Sequence, residues 1–373
     1  MRVAVVGPTH PYKGGVSAHT TELATQLAAA GHDCDLVSWS HLYPSRLYPG
    51  EQAVPGGVPE VAPYPRTTRP LSWARPDTWL RVGRRLRRYD LVVLVHVIPA
   101  VVPAHMALLA ALHQRGSGGP RVVVLAHNVL PHESHPGAAA LVKLMCSRVD
   151  AVLVHTPEQA ALAREHGARE VAIAPLPPFL PGGPALARTP NPGPPRLLAM
   201  GMVRTYKGTD LLLEALAQVP GPTLTIAGEL WGKAGERVRE LAATPGLRDR
   251  VTVRSGYVPA TGIPELMAGH DVLVLPYRSA TGSQNALLGF AHGLPVLATR
   301  VGTFPGEVRE GVNGMLAEPG SVDSLVAALR RLTEPGVVTG LASGVRAPDL
   351  SSPWTVYVAA LVGAGALPAG RLG

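Results

Sequence analysis

Residues 275–302, LPYRSATGSQNALLGFAHGLPVLATRVG, constrain the fold more than any other part of the chain. The preceding residues, 272–275, form a continuous apolar run, as expected of a strand buried on both faces, and 277–284 then supply hydroxyl groups and a glycine. Residues 285–292 have helical character, and 296–298 return to a sheet. Such a strand, turn and helix is equally typical of structural packing and of a phosphate site at the turn.

A second strand-to-helix connection lies at the start of the chain. Residues 1–6 are apolar, 7–15 form a loop rich in glycine and proline, and 17–31 have helical apolar spacing. The adjacent Gly14 and Gly15 let the backbone approach a ligand closely. The loop has the glycine spacing of neither a dinucleotide fingerprint nor a P-loop. A connection that simply requires glycine is an equally good interpretation.

Strands and helices alternate along the whole chain, which predicts the α/β class with doubly wound parallel sheets. Residues 175–195 are too rich in proline and glycine to pack regularly and predict a linker, and 373 residues are enough to bury two cores. The predicted strands lie near Val3, Leu36, Leu91, Val122 and Val152, then near Leu197, Leu224, Val251, Val272, Val296 and Met315. The second group alternates with predicted helices at Asp210, Glu236, Pro264, Asn285 and Val322.

Five blocks of sequence carry a resemblance that spans nearly the whole chain. They are PYKGGVSAHTTELATQLAAAGH, LAHNVLPHE, GMVRTYKGTDLLLEAL, SGYVPATGIPELMAGHDVLVLPY and HGLPVLATRVGTFPGEVREGVNGMLAEPGS. In order and spacing they resemble the family 4 glycosyltransferases. The resemblance implies the GT-B fold, in which two Rossmann-like domains face each other across a cleft and a C-terminal helix crosses back. It implies an acceptor-side domain over 1–180 with the crossover helix 352–373, a linker over 181–194, and a nucleotide-sugar-binding domain over 195–351.

The resemblance also implies which residues form the site. Arg204 and Lys207 are expected to bind the diphosphate, and His127 is the third catalytic candidate, beside the donor sugar. Gly14 and Gly15 are expected to complete the diphosphate cradle. The other predicted donor-binding residues are Tyr257, Val258, Ser279, Thr281, Gly282, Ser283, Gln284 and Glu307. His132 and Glu133 are weaker candidates for binding the acceptor or ordering a loop.

Each of these residues also has a purely structural interpretation. Arg204 and Lys207 are alternatively solvated residues of a loop, His127 is a loop histidine with its hydrogen bonds satisfied, and Glu307 is a residue that caps a helix.

The chain also departs from the usual family pattern. Ala280 and Leu288 stand where most members carry two glutamates, and Met202 stands where an arginine is common. Hydroxyl and backbone groups would then bind the sugar instead, which leaves the identity of the sugar open.

The implied reaction transfers a sugar from a nucleoside-diphosphate donor to a hydroxyl acceptor with retention of anomeric configuration. No metal or other cofactor is expected. Asp33-Cys34-Asp35 is interpreted as the edge of a strand, and the 14 histidines show no metal-binding spacing. Two alternatives stay open: a GT-B epimerase or hydrolase that acts on the nucleotide sugar alone, and a catalytically decayed subunit that at most binds nucleotide. Base, sugar, acceptor and oligomeric state are not predicted.

Charge and hydropathy bear on location. Lysine and arginine exceed aspartate and glutamate by 34 to 26, and residues 73–90 hold much of the excess. That segment is either a helix contacting an anionic membrane or an ordinary basic surface helix. Residues 91–112 are apolar but interrupted by proline and histidine, which favours strand, turn and helix over a membrane span. Two cysteines and a start that does not resemble a signal peptide favour the cytoplasm, and nothing in the sequence resembles a nucleic-acid-binding module. A composition heavy in alanine, glycine, proline and arginine suggests a GC-rich bacterial genome.

Overall fold

A computed structural model describes residues 1–44, 52–113, 119–130, 136–179, 181–188, 191–280 and 283–366. The chain divides into two compact units. Unit 1 comprises Met1–Phe179 and Leu350–Gly373, and unit 2 comprises Leu180–Asp349. The predicted linker, 181–194, falls within unit 2 in this division, and the predicted domain boundaries stay predictions.

Unit 1 is a seven-stranded sheet in which all neighbouring strands are parallel, in the order β3-β2-β1-β4-β5-β6-β7. Its strands are β1 (Arg2–Val6), β2 (Asp33–His41), β3 (Thr67–Ser72), β4 (Leu91–His96), β5 (Arg121–Ala126), β6 (Ala151–Val154) and β7 (Val171–Ile173). Its helices are α1 (Gly15–Ala29), α2 (Asp77–Leu86), α3 (Val102–Leu112), α4 (Ala138–Cys146), α5 (Pro157–Glu165) and α13 (Ser352–Ala364).

Unit 2 is a six-stranded parallel sheet in the order β10-β9-β8-β11-β12-β13. Its strands are β8 (Arg196–Met200), β9 (Thr223–Gly228), β10 (Val251–Ser255), β11 (Val272–Leu275), β12 (Val296–Thr299) and β13 (Gly314–Ala317). Its helices are α6 (Thr209–Leu216), α7 (Gly232–Ala242), α8 (Ile263–Ala268), α9 (Asn285–Ala291), α10 (Phe304–Glu307), α11 (Val322–Leu332) and α12 (Val337–Gly344).

Each sheet is covered on both faces, which is why its central strands are apolar at successive positions. In β1, Ala4 and Val6 pack into one hydrophobic cluster, whereas Val3 and Val5 pack into another on the opposite face. The second cluster also contains Trp354 and Tyr357 of α13. The C-terminal helix is therefore part of the core of unit 1.

The two sequence segments with a competing interpretation have defined structures. Residues 91–112 form β4, a short 3₁₀ turn and α3, as predicted. No helix within the described ranges is both long and apolar enough to cross a bilayer. Asp33 and Asp35 lie in β2, where both carboxylates pair with Arg66.

Candidate functional site

In unit 2 the candidate site lies where the strand order reverses. β8 pairs with β9 on one side and with β11 on the other. The connections that leave β8 and β11 therefore diverge, and such a switch point is the usual ligand crevice of a doubly wound sheet. A small pocket at this edge is lined by the residues that follow β8, by Lys207 and by Pro276 and Tyr277.

Lys207 ends a 3₁₀ turn, Thr205–Lys207, directly after β8. Its ammonium is close to Gly201, because a Cβ placed on that glycine would lie 3.0 Å from Nζ. Nζ also lies 5.4 Å from the ring centroid of Tyr277. Burial alone would lower the pKa of Lys207, but Tyr277 and Tyr206 outweigh it and raise the pKa. Lys207 is therefore a fixed positive charge at neutral pH.

Arg204 precedes the same turn and is half-buried. Its Nε donates to the sulfur of Met202 at 3.2 Å, which helps to orient the guanidinium. Within the described residues, neither Arg204 nor Lys207 has a carboxylate within ion-pair distance. Two cations therefore lie at this edge with no counter-charge from the described part of the chain.

Tyr277, in the loop after β11, connects most parts of the candidate site. Its carbonyl accepts from the hydroxyl of Thr299 at 2.6 Å, and its own hydroxyl accepts from Asn285 Nδ2 at 3.0 Å. Its ring lies edge-on to Phe304 at 5.3 Å and to Tyr206 at 6.0 Å. The connections after β8, β11 and β12 are thus packed around one buried phenol.

The predicted sugar-binding residues lie between Tyr277 and α9. Ser279 is exposed, Ser283 and Gln284 are half-buried, and Thr281 and Gly282 lie outside the described residues. The Ser283 hydroxyl accepts from the backbone N–H of Asn285 at 3.4 Å. Helix α9 has the predicted position but only seven residues, so its dipole adds little to anion binding.

Ala280 and Leu288, the two positions at which the resemblance implies glutamates, lie in apolar surroundings in the structure. Leu288 is only 4 % exposed and packs in an apolar cluster with Leu273 and Phe290. Ala280 is half-buried against the same cluster. A carboxylate at position 288 would be desolvated without a counter-charge, so this packing favours leucine.

The predicted nucleoside-binding residues lie at the same edge of the sheet. Tyr257 and Val258 follow β10, and Val258 packs against the apolar cluster. Glu307 ends α10, and burial raises the pKa of its carboxyl to about 7, with Thr303 acting in the opposite direction. Among the described residues, Glu307 Oε2 is buried without a hydrogen-bond partner. This buried oxygen therefore has unused hydrogen-bonding capacity.

In unit 1, Gly14 and Gly15 begin α1, as the glycine pattern indicates. Gly14 has φ +100°, a conformation that favours glycine. Its N–H donates to the Glu60 carboxylate at 3.1 Å, so an internal anion lies at this helix start. Gly15 is exposed, and a Cβ there would lie 3.6 Å from the ring of Phe179. The role of both glycines in donor binding stays a prediction.

His127 follows β5 and belongs to a cluster of rings that the sequence did not reveal. His19 of α1 is fully buried, with its centroid 4.8 Å from His127, 5.1 Å from Trp354 and 5.3 Å from Tyr357. His155, after β6, lies 5.1 Å from His127. In the part of the chain that is described, no three metal-ligating side chains are placed to hold an ion. His132 and Glu133 lie outside the described residues.

The imidazoles of this cluster are neutral. The carbonyl of Ala174 can only accept, so the proton of His155 is on Nδ1, 3.1 Å away. Two further buried histidines lie in unit 1, His96 at the end of β4 and His105 in α3, with ring centroids 6.4 Å apart. Burial lowers the pKa of His155 and of His96 to about 4 and that of His105 to about 3. Burial and the neighbouring histidines hold the pKa values of His19 and His127 well below 6.5. The edge of unit 1 therefore offers uncharged rings at neutral pH.

Solved structures share this architecture along the whole chain. A sucrose-phosphate synthase from Thermosynechococcus elongatus matches with a TM-score of 0.71 at 20% identity, covering 98% of both chains. Anabaena HepE in complex with UDP-glucose matches with a TM-score of 0.66 at 15% identity, covering 97% of both. These likenesses show the fold, which is the two-domain α/β GT-B architecture.

Sequence comparisons agree in both units. Residues 13–180 match the model of Glycosyltransferase Family 4, and residues 194–334 match that of Glycosyl transferases group 1. A D-inositol 3-phosphate glycosyltransferase of Acidothermus cellulolyticus is 27% identical over 94% of this chain and 85% of its own. A glycogen synthase of Mycobacterium tuberculosis is 27% identical over 90% of this chain and 86% of its own. The chain belongs to the family 4 glycosyltransferases, and it is an enzyme of glycosyl transfer.

Proposed function

We propose that this enzyme transfers a sugar from a nucleoside-diphosphate donor to a hydroxyl acceptor, with retention and without a metal ion. The observation that carries the proposal is the pair Arg204 and Lys207. Within the described residues they have no carboxylate partner, yet they lie beside a buried phenol at the switch point of the sheet. A partly buried cation without a counter-charge favours an anionic ligand, and a diphosphate supplies one.

The chemistry assigned to the two cations concerns the leaving group. The bond from the anomeric carbon to the diphosphate oxygen breaks, and the bond from that carbon to the acceptor oxygen forms on the same face. The acceptor proton passes to the departing phosphate oxygen, so no separate base is required. Lys207 and Arg204 would stabilise the negative charge that develops there, the role that a metal ion fills elsewhere.

The remaining predicted residues would fix the rest of the donor. Ser279, Thr281, Ser283 and Gln284 would bind sugar hydroxyls, and the backbone at Tyr257 and Val258 would bind the base. With a pKa of about 7, Glu307 could donate or accept a hydrogen bond from a ribose hydroxyl. UDP is the first nucleotide to test, because a structural neighbour is in complex with UDP-glucose. We propose an acceptor in glycan, lipid-linked glycan or secondary-metabolite synthesis, which leaves its size open.

The test is thermal stabilisation of the protein by UDP, GDP, dTDP and ADP, with and without magnesium. A ligand that binds the native state raises its melting temperature according to affinity. We expect one nucleotide to stabilise the protein without magnesium, the Lys207→Ala variant to lose that shift, and the exposed-lysine control Lys233→Ala to keep it. Strict dependence on magnesium would contradict the metal-free proposal, and no shift with any nucleotide would favour the decayed-subunit alternative.

We also propose that α2 contacts an anionic membrane. Its outward face presents Leu80, Arg81, Arg84 and Arg85, and Trp73 is exposed just before it. Arg81 pairs with Asp77 at 2.7 Å, whereas Arg84 and Arg85 have no carboxylate partner among the described residues. Apolar side chains beside unpaired arginines match the interface of an anionic bilayer.

Vesicle co-sedimentation tests this contact. Each arginine near an anionic surface contributes roughly 1 kcal/mol, so the double variant Arg84→Ala/Arg85→Ala should weaken binding to phosphatidylglycerol vesicles about 30-fold. The control Arg164→Ala/Arg169→Ala removes the same charge elsewhere in unit 1 and should have little effect. Equal weakening by both double variants would mean that vesicle binding depends on the net charge of the protein and not on α2. Binding to neutral phosphatidylcholine vesicles would exclude the electrostatic mechanism.

A further inference from the structure

Arg278 links the two loops that form the candidate donor site of unit 2. It follows Tyr277 in the loop after β11, but its contacts are with the turn after β8. Its backbone N–H donates to the carbonyl of Tyr206 at 2.6 Å, and its Nη1 donates to the carbonyl of Thr205 at 2.7 Å. Two of the three residues in the turn that ends at Lys207 are therefore bonded to Arg278.

An ion pair holds the Arg278 side chain in this position. Nη1 and Nη2 donate to the two carboxylate oxygens of Asp210 at 2.8 and 2.7 Å. Burial alone would raise the pKa of Asp210, but the guanidinium outweighs it and lowers the pKa. Asp210 lies in the first turn of α6, immediately after the Lys207 turn. The two-pronged geometry is one that arginine provides and lysine does not.

A close backbone contact joins the same two loops at a second point. Gly208 has φ +64°, and a Cβ there would lie 2.0 Å from the carbonyl oxygen of Pro276. The bonds recorded within the turn, among the described residues, are local and run from Lys207 N to Arg204 O at 2.9 Å and from Gly208 N to Thr205 O at 3.2 Å. The direction of the Lys207 side chain thus depends on the loop after β11.

Resting on the proposed function, we propose that Arg278 is a positioning residue for the donor diphosphate. It fixes the turn that carries Lys207 against the loop after β11, which carries Ser279, and Asp210 keeps its guanidinium aligned. One ion pair then sets the segment proposed to bind the diphosphate relative to the start of the segment proposed to bind the sugar.

The experiment compares affinity for a nucleoside diphosphate with affinity for its monophosphate by calorimetric titration. Lys207 acts on the outer phosphate, so a displaced turn should weaken diphosphate binding and leave monophosphate binding nearly unchanged. We expect the diphosphate preference to fall at least 10-fold in Arg278→Lys and further in Arg278→Ala, with a smaller loss in Asp210→Asn. The double variant Arg278→Ala/Asp210→Asn should be no worse than Arg278→Ala, because the two residues act as a unit.

The matched control is Arg237→Lys, which changes an arginine that pairs with Glu214 of the same helix α6 at 3.2 Å. It should leave the preference unchanged. If Arg278→Lys keeps the preference while Lys207→Ala abolishes it, the positioning role is wrong and the proposed function stands. If the wild-type protein shows no preference and Lys207→Ala changes nothing, the proposed function itself fails. Equal losses for monophosphate and diphosphate would mean that Arg278 only stabilises the fold, which also overturns the inference.

Discussion

Both units are doubly wound parallel sheets, but the side chains at the carboxyl-terminal edges of their strands differ in charge. In unit 2 that edge carries Lys207, Arg204 and Arg278, arranged around a buried tyrosine. In unit 1 the corresponding edge carries neutral imidazoles packed against Trp354 and Tyr357. The doubly wound fold therefore supplies a position for a site, while the loop residues decide whether that site favours an anion or an uncharged group.

The largest expected effect concerns the charged edge. Replacing Lys207 with alanine removes the ammonium that would neutralise the leaving diphosphate, so kcat/KM should fall about 100- to 1,000-fold. Steady-state transfer kinetics with the donor identified by thermal stabilisation would measure it. Lys233→Ala serves again as the control. A variant with normal turnover would show that the cation of unit 2 is not part of the chemistry.

A smaller effect is expected from the backbone that supports this edge. Gly208→Ala would place a methyl group 2.0 Å from the Pro276 carbonyl oxygen at φ +64°. The free energy of unfolding should fall by about 2 to 3 kcal/mol, and nucleotide binding should weaken. Urea denaturation measures the free energy of unfolding. In contrast, Gly340→Ala in α12, with no atom within 4 Å of its Cβ, should be neutral or slightly stabilising. Similar losses in both variants would contradict the close contact.

The neutral edge should respond to acid. Burial lowers the pKa of His105 to about 3 in the folded protein, below its ordinary value of 6.5. The unfolded chain then binds more protons, so the stability is complete above pH 6.5 and declines as the pH falls toward 3. At pH 5 this single histidine should lower the free energy of unfolding by about 2 kcal/mol relative to its value at neutral pH. The same reasoning, with a smaller range, applies to His96 and His155, whose pKa values are lowered to about 4.

Urea denaturation of His105→Gln at pH 7.5 and pH 5 tests this difference. The variant should lose less stability on acidification than the wild-type protein by about 2 kcal/mol. His113→Gln, at an exposed histidine, is the matched control and should follow the wild type. An identical pH dependence of all three proteins would mean that folding does not lower the pKa of His105.

Much of the fold could be predicted from the sequence because the central strands are continuous apolar runs. β3 and β7 were missed for physical reasons. β3 is an edge strand that tolerates Arg69 and Pro70, and β7 has only three residues. The turn that carries Lys207 was located by its motif, and its chemistry stays a prediction until a ligand is bound.

What the sequence could not show are contacts between residues far apart in the chain. Arg278 and Asp210 are 68 positions apart, and neither position has a pattern of its own. His19 was interpreted only as part of a helix, and its contact with His127, which follows β5, depends on the tertiary packing of α1. Tertiary packing alone brings such pairs together, so only the structure reveals them.

The most direct test of the central claim is a crystal structure of the protein with the nucleoside diphosphate that stabilises it most. The account predicts an oxygen of the outer phosphate within hydrogen-bond distance of Lys207 Nζ, about 2.7 to 2.9 Å, with the Arg278–Asp210 ion pair intact. A diphosphate bound away from Lys207, with the ammonium still directed at the ring of Tyr277 alone, would contradict it.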